Sequence, residues 1–331
     1  MIPTFTKKGD EVTFNTPQKR YIRNYIWAKY AKERIKKDKL DYIKYFTLTA
    51  AECYDILVLK EQGLLNVIEE RGITKYQHVA FCEKDDEKYA LIQKKLPGAN
   101  HNKGSYENMI GAHGTIGANI QKWFPFDVIN LDLTSAIFSS EKNLVIVALK
   151  KTFEIQSSKN KSFTLFLTIP SKEEEDTQTG KDMLDDNLRS NLNDSRVEDF
   201  KDRFSAIYPD VDFNGAIYSQ LKYDDYLLIS IPKMIVSMGF SENFDVVCNE
   251  RLSYVGDHYN GNRNSTLMLK FVFECEFIGK NNGLCAGTNI NELYEKYPLR
   301  VSNILINAPV NINELLENNA ELKAHCCELN Y

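Results

Sequence analysis

The stretch Phe124–Ser135, FPFDVINLDLTS, decides the fold. An apolar run from Phe126, broken by Asp127, has the pattern of a strand buried on both faces of a parallel sheet. It ends with Asn130 and Asp132 on either side of Leu131, and the chain leaves through Thr134 and Ser135. A buried strand that ends in polar groups requires a reason, and in open α/β sheets the reason is a ligand at the carboxyl edge.

Working outward, further strand-like runs lie at Tyr42–Thr49 (YIKYFTLT), His78–Glu83 (HVAFCE) and Ser162–Pro170 (SFTLFLTIP), with a weaker strand near Asn100–Gly104. Helical patterns separate them: AECYDILVLKEQGLLNVIEE, DEKYALIQKKL, Tyr106–Lys122 and EKNLVIVALKKTFEIQ. Such alternation predicts an α/β fold with a doubly wound, mostly parallel sheet. Ser171–Ser195 is polar and acidic without periodicity, and reads as an exposed loop. After a helix over YDDYLLISIPKMIVSMGF, two strand-like runs, FDVVCNERLSYVG and STLMLKFVFECEFIG, flank the turn-rich DHYNGNRN and read as an antiparallel hairpin. NINEL occurs twice, at Asn289 and Asn311, each time as a helix start. The expected organisation is an N-terminal helical extension (1–41), an α/β domain (42–280) and a C-terminal helical tail (281–331).

Composition narrows the function. Charged residues make up 26% of 331, hydrophobic residues 43%, and the formal charge is -5, which argues against a globally basic nucleic-acid binder. The seven cysteines have no C-x-x-C spacing and sit mostly in apolar runs, the usage of a reducing cytoplasm. The five histidines form no ligand pair, so no metal is expected. No apolar run approaches a membrane span, and the polar start lacks a signal-peptide core. GAHGTIGA matches neither a Walker loop nor a dinucleotide fingerprint. His325-Cys326-Cys327 reads as a surface tail, with metal binding or oxidation the sharper alternative.

This order of βα units closed by a hairpin resembles the class I S-adenosylmethionine-dependent methyltransferases, over roughly residues 42–279. The resemblance implies S-adenosylmethionine at the carboxyl ends of the strands. Glu83, at the tip of the second strand, falls where that family places its ribose-binding acid, since a carboxylate there can accept from both ribose hydroxyls. The same residue stands at a helix start that Asp85 or Asp86 could cap. Thr49, Ala50 and Glu52 fall on the cofactor turn after the first strand, and Ser105 on the turn after the third. The family usually has glycines in the first of these turns; here Thr49, Ala50 and Ala51 stand instead. Asp132 falls on the acid of the fourth-strand motif of nucleic-acid and amine methyltransferases, which orients an exocyclic amine. Leu133 and Thr134 fall on that motif's prolines and Ser135 on its aromatic position. Asn130 shares the parity of Asp132, so the implied catalytic residues are Asp132 and Asn130. Asp132 could equally cap the following turn.

Between Pro17 and Lys39 nine Lys or Arg face two acids, a local balance of +7, with Tyr21, Tyr25, Trp27 and Tyr30 interleaved. Arg23, Lys32, Arg34 and Lys36 are the candidate contacts to nucleic acid in that stretch. Ile22, Ile26 and Tyr30 also make a core-facing stripe, with the charges solvating the outer face. Two functions follow. One is a methyltransferase acting on nucleic acid. The other is a catalytically degenerate methyltransferase-like subunit that binds nucleic acid or a protein partner, as in a bacterial phage-defence system.

Overall fold

The computed structural model describes residues 15–111, 114, 117–140, 142–192, 195–255, 266–279 and 288–329. The turn at 257–264, Cys285, the side chain of Asn289 and parts of GAHGTIGA lie outside these residues. The strands are β1 Tyr45–Thr47, β2 Asn66–Glu70, β3 Ile73–Gln77, β4 Val79–Glu83, β5 Asn100–Lys103, β6 Val128–Asp132, β7 Phe163–Pro170, β8 Phe244–Val255, β9 Leu267–Phe277 and β10 Val310–Asn311. Eight form one sheet in the order β10-β8-β9-β7-β6-β1-β4-β5. Only β9 runs against the others, antiparallel to both β7 and β8. From β1 the chain moves outward to β4 and β5, then returns to β6 on the other side. The order therefore reverses between β1 and β6, the switch point where doubly wound sheets take ligands. This is the mostly parallel, doubly wound α/β fold that the sequence predicts, with its reversed strand near the C-terminal edge.

Two stretches depart from expectation. The helical pattern expected to run to Glu70 stops at Glu61. Gly63 is left-handed at φ 69°, and β2 and β3 then pair through Arg71 and Gly72, both left-handed at φ 53° and 74°. Two consecutive positive φ values make the tight hairpin turn that matches strand twist. The described residues of 171–195 do not form an exposed loop. Gln178–Leu192 is a helix that buries Leu184, Asp185, Leu188 and Leu192. Gly180 fits there because a Cβ would lie 2.4 Å from Phe138 Cβ, so the helix rests directly on the segment after β6. Asp176 ties the two together, accepting from the Phe138 N–H at 2.8 Å and from the Tyr223 hydroxyl at 2.5 Å.

The N-terminal helix packs into the core of the sheet domain. It runs as Pro17–Tyr21, a π-helical segment Ile22–Trp27, and Ala28–Asp38. Thr16 caps its start, its hydroxyl accepting from the Lys19 N–H. Ile22, Ile26, Trp27, Tyr30 and Ala31 are buried in one cluster with β1, β4 and β7, and Trp27 stacks on Phe166 with centroids 6.0 Å apart. Helix Ala320–Glu328 docks beside its start, where Arg20 donates to the carbonyls of Cys326 and Cys327 at 3.1 and 2.7 Å. The C-terminal stretch also supplies β10, paired with β8, besides its helices.

Candidate functional site

At the switch point the sequence builds a buried polar network around Asp55. This residue lies in the first turn of helix Tyr54–Glu61 and is only 5% exposed. Its carboxylate accepts from the hydroxyls of Tyr45 at 2.9 Å, Thr47 at 2.7 Å and Thr49 at 2.5 Å. A helix N-terminus favours negative charge, and this one carries its own. Asn130, beside Thr47 in register, donates to the Tyr45 hydroxyl at 3.0 Å, while its Oδ1 is buried with no donor. The turn into the helix is closed at Cys53, a buried residue in the left-handed region at φ 57°, where the expected fold would use glycine.

Beside this network, Asp132, Thr168 and Lys270 are successive register partners on β6, β7 and β9. The N-terminal helix lies over them. Lys19, Arg23 and Trp27, spaced four apart, join Asp132, Tyr254 and Lys270 around a recess of about 10 Å³, room for a single water-sized occupant. Lys270 is 1% exposed; its Nζ donates to the Thr168 hydroxyl at 2.8 Å and sits 3.8 Å from the Trp27 ring centroid. Burial pushes its ammonium down to about 7. Burial also lowers Arg23 and Lys19, against the pull of Asp55 and Asp132 on Arg23 and of Asp132 on Lys19. The Trp27 indole N–H is buried without an acceptor.

The remaining predicted residues are distributed as follows. Glu83 Oε1 accepts from the Asp85 N–H at 2.8 Å, and Ser105 Oγ from the Asn108 N–H at 3.4 Å, both at helix starts. The Ala50 carbonyl accepts from the Cys53 N–H at 2.9 Å, and Lys95 donates to the next carbonyl, Ala51, at 2.8 Å. Glu52 is half-buried on the same turn, and Asp132 is half-buried in the recess. Among the candidate nucleic-acid contacts, Lys32 and Lys36 are exposed. Arg34 is not a surface group. It is fully buried at the amino edge of β7, donating to the Phe163 carbonyl at 3.3 Å, with Glu276 at 2.7 Å and Asp38 at 3.4 Å. Arg23 is 7% exposed, with its guanidinium 5.1 Å from the Tyr54 ring. The basic helix thus turns two of its four candidates inward, because the apolar stripe that docks it carries them to the sheet. Sequence reading missed Asp55, Tyr45, Thr47 and Lys270. Among the described residues, no group of three or more His, Cys, Asp and Glu could hold a metal ion, and no helix is long and apolar enough to cross a membrane.

A family model described as PP_RS20740-like matches residues 14–326, nearly the whole chain. The chain belongs to the PP_RS20740-like family. No curated protein matches this family member. Among solved structures it is similar to the plantazolicin methyltransferase BamL in complex with a triazolic desmethylPZN analog and SAH. Identity is 12% over 82% of this chain and 92% of that one, with a TM-score of 0.32.

Proposed function

We propose that this PP_RS20740-like chain uses a methyltransferase-like fold as a binding subunit, with Asp55 built in where a cofactor's anionic group would otherwise meet the helix N-terminus. The observation that carries the reading is the set of three hydroxyls on that buried carboxylate. Tyr45, Thr47 and Thr49 all bond Asp55, within 2.9 Å, and Cys53 closes the turn. These groups do not fit S-adenosylmethionine, since the cofactor needs an open turn whose backbone can approach it. Small-molecule sites typically enclose about 300–1,000 Å³, and the neighbouring recess is water-sized. Calorimetric titration with S-adenosylmethionine tests this. No saturable heat at millimolar cofactor is expected; binding in the micromolar range overturns the reading.

A second reading, S-adenosylmethionine-dependent methyl transfer, is favoured by Asn130 Oδ1, a buried acceptor without a donor. In that case Glu83 would accept from the ribose, S-adenosylmethionine would supply an electrophilic methyl group, and Asp132 would orient the acceptor nitrogen. A nucleic-acid partner rests on Lys32 and Lys36 in either reading, since Arg23 and Arg34 are buried. Loss of single-stranded DNA binding in the Lys32→Glu, Lys36→Glu double variant would support such a partner, and unchanged binding would remove this helix as its site.

A further inference from the structure

We infer that the recess between the N-terminal helix and the β6, β7 and β9 edge is an oxyanion site, taking one oxygen of a phosphate or carboxylate group between Lys270 and the Trp27 indole N–H. Two independent observations support it. The first is charge. The buried ammonium of Lys270 lines the recess together with Asp132, Lys19 and Arg23, and Arg23 also donates to Asn15 Oδ1 at 3.3 Å. Glu52 and Asp55 act on these cations from the β1 turn, outside the lining, and Asp55 already accepts three hydroxyls. Among the described residues, Lys270 has a hydroxyl and an aromatic face as its direct partners, and a buried ammonium without an ion pair is costly. The second is the orphan donor. Trp27 is 5% exposed, its N–H has no acceptor, and it lines the same recess. Buried donors are satisfied in the great majority of proteins, and an oxygen in this recess would satisfy Trp27 and Lys270 together.

Size sets the manner of binding. About 10 Å³ admits one oxygen atom, so the rest of the ligand lies at the mouth beside half-buried Lys19. The π-helical segment Ile22–Trp27 contributes by presenting both Arg23 and Trp27 to the strands, and such segments recur at functional sites. The site does not depend on methyl transfer. Its probe is an anion and its readout is binding, so failure of the cofactor reading leaves it untouched.

The test is calorimetry of the full chain at pH 8 with inorganic phosphate and, separately, acetate, at ionic strength matched with chloride. Saturable binding of one of the two in the millimolar range or tighter is expected, and the stronger arm identifies the ligand's acid group. Binding should take up a proton, because the anion restores charge to Lys270, and this appears as a dependence of the heat on buffer ionisation enthalpy. Lys270→Met should weaken binding at least 10-fold and abolish the proton uptake. Trp27→Phe keeps an aromatic face and removes the donor, so a loss of about 3–10-fold is expected there, and this variant decides the matter if Lys270→Met does not fold. Absence of saturable heat with both anions, or equal affinity in wild type and in whichever variant folds, overturns the site.

Discussion

Two ends of one helix meet the two edges of the sheet in opposite ways. At the amino edge, Arg34 is fully buried, yet its guanidinium meets Glu276, Asp38, the Thr164 hydroxyl and the Phe163 carbonyl. Burial works against its charge, and Glu276 and Asp38 outweigh it, so its pKa is raised. At the carboxyl edge Lys270 is as deeply buried but, among the described residues, makes no ion pair; burial drives it down to about 7 against the pull of Asp132. A buried cation paired with carboxylates is a structural joint; Lys270, held by neutral groups beside the orphan Trp27 N–H, is the centre of the proposed oxyanion site.

The largest test of that contrast is Arg34→Ala, expected to cost about 3–5 kcal/mol because it breaks a buried pair. Urea unfolding should show it as a lower midpoint, and a loss below about 1 kcal/mol would mean that Arg34 is no joint. Asp55→Ala should cost about 3 kcal/mol by stripping three buried hydroxyls of their acceptor. An unchanged midpoint there would show that Asp55 is not what fills the turn.

The two edges should also answer to opposite ends of the pH scale. Lys270 and Lys233 both fall to about 7 through burial, below the unfolded value of 10.5. Between pH 7 and 10 the unfolded chain therefore holds more protons, and stability should rise with pH, by up to about 1.4 kcal/mol per unit for each lysine. Lys270→Met should remove one lysine's share of that slope; an unaltered slope would place the titration elsewhere. At the amino edge the slope keeps that sign but falls in the acid range. Burial raises the Glu276 carboxyl, but Lys37 and Arg34 bring it below its ordinary value of 4.5. Its contribution is present above that value and is lost as pH falls through the lowered one, a loss that Arg34→Ala should blunt in acid unfolding. The smallest effect belongs to the helix's outer face. Lys32→Glu and Lys36→Glu are expected to stay within about 0.5 kcal/mol of wild type, and a larger change would mean that the outer face also carries the fold.

Much of the sheet is legible from residues alone, because β4, β6 and β7 are apolar on both faces and end in Glu83, Asp132 and Pro170. The β2–β3 hairpin is hidden because LLNVIEE continues the apolar spacing of the preceding helix, and only the Arg71-Gly72 turn marks it. Asp55 escapes notice since an acid in a first helical turn looks like a response to the macrodipole; its role depends on Tyr45, Thr47 and Thr49 pointing to it. Lys270 did leave a signal, as the one charge in the run LMLKFVF. Its meaning needs the register that sets it beside Thr168 under Trp27, which no local pattern supplies.

The most direct measurement is a crystal structure of the protein grown with millimolar S-adenosylmethionine. The account predicts no cofactor density over Thr49–Cys53, with Asp55 still held by its three hydroxyls. Cofactor density reaching from Glu83 to Asn130, with those hydroxyls released from Asp55, would contradict it.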